Sequence, residues 1–315
     1  MAGSKGPGRG DREGISLIEL YEMFPNDAAA EAWFEERRWP GGNRFCPDCG
    51  SERYTIVKSR KPMPYRCKDC RRHFSVTKGT VMQSTKLGLR QWAFGFYLVA
   101  TSLKGVSSIK LHRDLRVTQK TAWHLAQRIR ASFTDDQVAA MAGPIEIDEG
   151  YFGGLEANKH ASKKQKAGRG TVGKTAVVAA KDRPTGKVTA KVVEATDAET
   201  LQPFVVENTT PGAEVYTDDH GAYKGIPGVE HKTVRNSVGE YVDGMAHTNG
   251  VESFWAQLKR GYHGTFHQVS RKHLQRYVDE FSGRHNIRSL DTADQMAALA
   301  RGTVGKRLTH RQLTA

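Results

Sequence analysis

The sequence feature that most restricts how this chain can fold is a set of four cysteines in two C-x2-C pairs. Cys46 and Cys49 lie in "CPDCG", Cys67 and Cys70 lie in "YRCKDCRRHF", and residues 50–66 separate the pairs. Each C-x2-C turn presents two thiolates on one side of a tight knuckle, and two knuckles supply the four ligands of a tetrahedral zinc site. Disulfides are the alternative, but they are disfavoured in a chain that is not secreted. The spacing therefore predicts a zinc ribbon with a structural ion, because four thiolates leave no open coordination position.

The charge of the chain favours a polyanionic partner. There are 48 Lys and Arg residues against 34 Asp and Glu, which gives a formal charge of +14, and such an excess is typical of proteins that bind nucleic acid. An anionic membrane would attract the same charge, but the sequence has no run of about 18 apolar residues. The opening "MAGSKGPGRGDREG" also lacks the apolar region of a signal peptide. We therefore expect nucleic acid as the partner, no membrane, and a protein that stays inside the cell.

A helix, a short turn and a second helix are predicted after the ribbon. The first helix extends from Ser107 to about Asp114, and Thr118 is the N-cap of the second, which ends near Arg130. The polar side of the second helix is expected to be exposed and consists of Gln119, Lys120, His124, Gln127, Arg128 and Arg130. This arrangement is typical of a helix-turn-helix that reads DNA, with a plain three-helix bundle as the alternative. The predicted DNA contacts on this helix are Gln119, Lys120, His124 and Arg128.

The pattern changes to strands at about Pro144. "GPIEIDEGYFGG" alternates apolar with acidic residues, and "TAVVAAKDRPTGKVTAKVVEA" contains two apolar runs around a turn. A helix fits "DAETLQPFVVENT", a short strand fits "AEVYTDDHGAY", and an amphipathic helix fits "HTNGVESFWAQLKRG". This order predicts an α/β domain of mixed layers.

Three carboxylates stand out in this domain. Asp148 lies on the first strand, Asp218 ends a later strand, and Glu252 lies one turn into the amphipathic helix. Carboxylates gathered at one sheet edge repel each other unless a divalent cation compensates their charge, and hard oxygen ligands suit Mg²⁺. Two such ions, Mg or alternatively Mn, can activate the attacking and the leaving oxygen of a phosphodiester. We therefore expect a metal-dependent reaction on nucleic acid.

The motifs, taken together, resemble those of the ISXO2-like group (the IS1595 family) of bacterial DDE-type transposases. The resemblance rests on "CPDCG", "RCKDCRRHFSVTKGTVM", "IEIDEGYFGG", "VYTDDHGAY", "HTNGVESFWAQLKRG" and "RKHLQRYVDEFSGRHNIR", which cover about residues 40–290. It implies a ribonuclease-H-like catalytic domain preceded by a zinc ribbon and a helix-turn-helix. It also implies double-stranded DNA as the partner and a cytoplasmic, nucleoid-associated protein in a bacterium. The acidic triad that it implies is Asp148, Asp218 and Glu252, and Lys259 would be the basic residue two helical turns after the third acid. Asp219 is an alternative to Asp218, and Asn249 is an alternative to Glu252.

A basic stretch follows the first acidic strand. Residues 155–174 contain six Lys and Arg residues and have no apolar period. The stretch can be a disordered surface loop, or it can clamp DNA beside the active site. In the second case Lys163, Lys164 and Lys166 contact DNA phosphates.

The resulting hypothesis is a transposase that binds the ends of an insertion sequence and performs strand cleavage and transfer, acting as a homodimer or larger assembly on DNA. The alternatives are a zinc-ribbon transcription regulator with an inactive α/β domain, or a metal-dependent nuclease. The predicted division of the chain is a disordered tail at 1–13, an N-terminal helical segment at 14–42, the zinc ribbon at 43–80, the helix-turn-helix at 81–136, the catalytic domain at 137–290 and a basic C-terminal tail at 291–315.

Overall fold

A computed structural model describes residues 12–133, 139–154, 160–164, 170–234 and 248–315. The chain divides into two compact units, one formed by Met1–Thr134 with Ile287–Ala315 and the other by Asp135–Asn286. Most of the predicted N-terminal tail lies outside the described residues. No helix among the described residues is long and apolar enough to cross a membrane.

The helices of the described residues are α1 (Leu17–Met23), α2 (Asp27–Arg38), α3 (Leu89–Thr101), α4 (Ser108–Leu115), α5 (Gln119–Ala131), α6 (Ala198–Asn208), α7 (Asn249–Gly261), α8 (Arg271–Asn286), α9 (Thr292–Arg301) and α10 (His310–Thr314). The strands are β1 (Tyr54–Ile56), β2 (Tyr65–Cys67), β3 (His73–Phe74), β4 (Ile145–Phe152), β5 (Thr175–Asp182), β6 (Val188–Val193), β7 (Glu214–Thr217) and β8 (Glu230–Thr233).

The first unit combines a small antiparallel sheet with a helical core. Strands β1, β2 and β3 are neighbours in that order and form the ribbon between α2 and α3. Helix α3 is the centre of the helical part, since Trp92 and Phe96 are fully buried and α2, α5 and α9 pack against it.

The prediction of a C-terminal tail at 291–315 is wrong. Helix α9 buries Met296 and Leu299 in the core of the first unit, and the N–H of Val81 donates a hydrogen bond to the carbonyl of Thr303. The segment reads as polar and basic because its apolar residues are few. Those few lie on one side of α9, and only the presence of α2 and α3 makes that side part of a core.

The second unit is built on a five-stranded sheet with the order β6-β5-β4-β7-β8. Strands β4 and β5, and β5 and β6, are antiparallel, whereas β4 and β7, and β7 and β8, are parallel. The hairpin predicted around "DRPTG" is β5 and β6. This mixed sheet with helices is a ribonuclease-H-like fold, as predicted.

The two faces of this sheet are covered by different helices. Ile145 and Ile147 of β4 pack with α6 in one cluster. Phe152 belongs to a second cluster with apolar residues of α7 and α8. Because side chains alternate along a strand, the even-numbered residues of β4 point towards α7. Asp148 is one of them, so the fold brings it to the helix that carries Glu252.

Candidate functional site

The four cysteines converge on one point in the first unit. The Sγ atoms of Cys46 and Cys70 are 3.6 Å apart, as are those of Cys49 and Cys67, and all four lie within 4.8 Å of one another. A tetrahedron of sulfurs around zinc at about 2.3 Å has edges of about 3.8 Å. All four cysteines are free. Their arrangement fits the zinc site that the spacing predicts. Because all four positions around the ion would be occupied by sulfur, the site is structural.

Strand pairing brings two of the predicted aspartates together. Strands β4 and β7 are parallel, with Ile145 paired to Val215 and Glu146 to Tyr216. Continuing this register by two residues places Asp148 level with Asp218, which directly follows the end of β7. One carboxylate oxygen of each, together with one of Glu149, lies within 4.8 Å of the others.

The geometry of these three carboxylates suits a divalent ion. Two oxygens on opposite sides of an Mg²⁺ ion are about 4 Å apart, since each bond is about 2.0 to 2.1 Å. The observed separations are therefore within a small side-chain movement of shared coordination. Acidic oxygens are also the ligands that this class of hard cation prefers.

In the absence of a cation, the surroundings of these acids disfavour their ionised forms. Burial, together with the charges of Asp218 and Glu252, raises the pKa of Asp148 to about 6, against hydrogen bonds from the Glu149 backbone and the Trp255 indole. Burial likewise raises the pKa of Glu149 to about 7, against a hydrogen bond from the Tyr223 hydroxyl. A bound divalent cation would relieve this penalty, because it compensates the charges that burial and mutual repulsion disfavour.

Helix α7 faces the acidic group. The indole N–H of Trp255 donates a hydrogen bond of 3.0 Å to Oδ2 of Asp148. Glu252, one turn earlier, is exposed and acts on Asp148 through its charge. It lies outside the group of three oxygens. Lys259 is exposed two turns further along the same helix.

The two alternatives left open by the sequence differ in position. Asp219 is exposed, and Asp218, not Asp219, is in the group of three. Asn249 is exposed in the first turn of α7 and is also outside that group.

Glu149 is the residue of this group that sequence reasoning missed. Alternation along β4 predicts that its side chain lies on the opposite face from Asp148. Beyond the end of β7, however, no strand among the described residues pairs with that edge of β4, so side chains from both faces can approach the same point. Its position directly after Asp148 in "IEIDEGYFGG" was the available signal.

The predicted helix-turn-helix corresponds to α4 and α5. The side chain of Thr118 accepts a hydrogen bond from the backbone N–H of Thr121 in the first turn of α5, as its predicted N-cap role requires. Ser107 is the N-cap of α4 and accepts a hydrogen bond from the backbone N–H of Lys110. In the first turn of α5, Gln119 and Lys120 are exposed, and His124 one turn later is half-buried.

The prediction of an exposed Arg128 is wrong. This residue is only 7% exposed, its guanidinium donates hydrogen bonds to the carbonyls of Val81 and Gln83, and it lies over the ring of Trp92. Gln127 and Arg130 are buried too. Trp92 of α3 and the segment before α3 cover the Arg128 side chain, which looked solvated in the sequence. Arg128 therefore stabilises the first unit and presents no free guanidinium to DNA.

The C-terminal segment lies over the middle of α5. The His124 ring is 5.7 Å from that of His310, and its Nε2 is 3.4 Å from the carbonyl oxygen of Leu308. The exposed part of the helix is thus its N-terminal turn.

The basic stretch after β4 lies only partly within the described residues. Lys164 is exposed. Lys166 and the side chain of Lys163 fall outside what the structure describes.

Two domain families match this chain. Residues 140–286 match the ISXO2-like transposase domain, and residues 25–73 match the transposase zinc-ribbon domain. The chain is also 29% identical over 279 residues to the "Uncharacterized protein in transposable element ISH50" of Halobacterium salinarum, an alignment that covers 84% of this chain and 93% of that protein. Both domain matches include motifs that carried the predicted resemblance, which is thereby confirmed.

Proposed function

Since the chain carries an ISXO2-like transposase domain behind a transposase zinc ribbon, we propose that it is a DNA transposase of the DDE type. It binds the ends of its insertion sequence and carries out metal-dependent strand cleavage and strand transfer. The observation that carries this proposal is the gathering of Asp148, Glu149 and Asp218 at the edge of the sheet. Because the substrate is DNA, the protein acts at the nucleoid in the cytoplasm.

The acidic group is the metal-binding part of this proposal. Asp148, Glu149 and Asp218 hold the metal, and Glu252 completes the site from α7. Two Mg²⁺ ions, or Mn²⁺, bound there would supply Lewis-acid activation of the attacking and leaving oxygens. Lys259, which is exposed on α7, contacts a DNA phosphate beside the acids. Water and then a 3′-hydroxyl are the nucleophiles, so no residue of the chain becomes covalently attached to DNA.

We assign recognition of the DNA sequence to the first unit. The net positive charge of the chain favours its binding to DNA in general. The exposed first turn of α5 contacts base edges, and the zinc ribbon contacts phosphates. Lys164, in the second unit, adds a phosphate contact. Two element ends require two sites, and we propose a homodimer or larger assembly on DNA.

The direct test is incubation of the protein with DNA that carries the element ends and its flanks, with and without Mg²⁺, followed by separation of the product strands. Cleavage at the ends and joining to target DNA are expected only with the metal. Cleavage without joining would instead indicate a metal-dependent nuclease. Binding without any cleavage would indicate a transcription regulator.

Replacing residues of the exposed first turn of α5 is expected to reduce discrimination between DNA sequences. Gln119→Ala should cost about 1 to 3 kcal/mol on element-end DNA and much less on random DNA, if Gln119 contacts a base edge. Binding of both DNAs should weaken steeply with salt, because each phosphate contact releases counterions. Fluorescence anisotropy with end and scrambled duplexes over a salt series measures both quantities.

Arg128→Ala is the contrasting variant. It should lower the melting temperature of the protein, because the carbonyls of Val81 and Gln83 lose a buried donor. Equal losses by Gln119→Ala on end and scrambled DNA would count against base recognition by this helix.

A further inference from the structure

Glu146 is a buried carboxylate on the same strand as the candidate catalytic aspartate. Only 1% of its surface is exposed, and it precedes Asp148 by two residues, so both side chains point to the face of the sheet that α7 covers. Its Oε1 accepts a hydrogen bond of 2.7 Å from Nε of Arg183. Its Oε2 accepts one of 2.8 Å from the backbone N–H of Val251, in the first turn of α7.

The first turn of α7 requires an acceptor from elsewhere in the fold. The first four N–H groups of a helix have no intrahelical partner, and the side chain of the N-cap residue Thr248 makes no capping hydrogen bond. Glu146 supplies that acceptor from the neighbouring strand, and its negative charge also suits the positive end of the helix dipole. Arg183 compensates the buried charge, which would otherwise be costly to desolvate.

Gly250 makes this approach sterically feasible. A Cβ atom at this position would lie 2.6 Å from Oε2 of Glu146 and 3.0 Å from Nζ of Lys181. Lys181 in turn donates a hydrogen bond of 2.9 Å to the carbonyl of Gly250. The N-terminus of α7 is therefore held by side chains from β4 and from β5.

A second point of attachment lies one helical turn further on. Trp255 donates its hydrogen bond to Asp148, and its ring lies so close to Gly150 that a Cβ there would be 2.9 Å from Cε3. Glu146, Asp148 and Gly150 are alternate residues on one face of β4, and each of them touches α7. Glu252 lies between the two points of attachment.

We propose that Glu146 is a positioning residue, which sets the register of α7 on β4 and thereby places Glu252 beside Asp148 for metal binding. It touches neither the metal nor the DNA. This inference rests on the proposed function only in taking Glu252 as a member of the metal site. A purely structural Glu146 would change the stability of the protein without changing its affinity for metal.

The test is binding of Tb³⁺, a hard oxygen-seeking cation, to the full-length protein. Emission sensitised by Trp255, whose indole touches Asp148, reports occupancy, and Trp255→Phe identifies the specific signal. Glu146→Ala is expected to raise the Tb³⁺ concentration at half saturation by about 10-fold or more, which is typical when a supporting residue of a metal site is removed. Glu146→Gln keeps an acceptor for Val251 and should recover part of the affinity.

The matched control is Asp182→Asn. Asp182 is another buried carboxylate of the same unit, but the groups that donate hydrogen bonds to it, from Thr185 and Gly143, lie outside α7. The Asp182→Asn variant should have a lower melting temperature and a parental Tb³⁺ concentration at half saturation. If Glu146→Ala has the parental midpoint, or if Asp182→Asn shifts it equally, the positioning role is overturned.

Two further variants complete the test. Gly250→Ala, which forces a methyl group against Glu146, should shift the midpoint in the same direction as Glu146→Ala, and a parental midpoint would count against the inference. Asp148→Asn separates the two levels of the argument. If Asp148→Asn weakens Tb³⁺ binding and Glu146→Ala does not, only the positioning role fails. If neither variant weakens it, the metal site itself is wrong and the proposed function fails with it.

Discussion

Asp148→Asn is expected to slow cleavage of element-end DNA by at least about 10³-fold, a loss typical of removing a central catalytic group. The amide has the shape of the carboxylate but lacks the negative charge that holds a divalent ion. Its oxygen can still accept the hydrogen bond from Trp255, so the packing of α7 on the sheet should persist. DNA binding should stay at the parental level. Initial cleavage rates with Mg²⁺ and anisotropy with the same duplex measure the two effects separately, and Asp218→Asn should behave alike.

The neighbouring residues provide controls for this prediction. Asp219→Asn and Asn249→Ala change exposed polar residues outside the acidic group and should be much milder. Glu252→Gln should be severe, whereas Lys259→Ala should be intermediate, because a phosphate contact is easier to replace than a metal ligand. Parental cleavage by Asp148→Asn or by Glu252→Gln would contradict the central assignment of the active site.

Cys46→Ser is expected to unfold the zinc ribbon, residues 43–80, and to weaken DNA binding. Structural zinc in small domains contributes about 10 to 16 kcal/mol of apparent binding free energy. The free energy of unfolding of a whole domain is about 5 to 15 kcal/mol, which is no larger. Cys46 is fully buried, and its thiolate is one of four ligands. Elemental analysis should find one zinc ion per parental chain, and hydrogen exchange should show loss of protection within the ribbon.

In Cys46→Ser, the second unit should keep its protection from hydrogen exchange, since its two apolar clusters contain no residue of the ribbon. Ser59→Ala, an exposed change in the same segment, is the control and should retain zinc. Protein purified without chelator that contains no zinc, or a Cys46→Ser ribbon with parental protection, would show that the metal does not hold this segment together.

Features that depend on residues a few positions apart were predictable from the sequence. The cysteine knuckles, the N-cap at Thr118 and the hairpin of β5 and β6 are all of this kind, because each is decided by the local chemistry of a turn or a cap. The helix from Asn249 to Gly261 also followed from its apolar period.

The surroundings of individual polar side chains were not predictable in the same way. Arg128 looked like an exposed residue of a basic helix face, yet backbone carbonyls of a segment about 45 residues away in sequence bind its guanidinium. The residues after Asp291 looked like a tail because the helices that cover their apolar side lie far away in the sequence. Burial of this kind is a property of the partner surface, and no local pattern contains it.

The sequence by itself determined the ribbon ligands and the order of the α/β elements, because residue type and spacing are enough to specify them. It also offered Asp148 and Asp218 as candidate acids, with Asp219 left open as an alternative to Asp218. Only the tertiary structure decided that Glu149 joins these acids and that Glu146 binds the first turn of α7. The physical reason is that both facts depend on where one strand ends beside another and on how a helix lies across the sheet. Those relations are set by packing between segments about 70 to 105 residues apart in the chain.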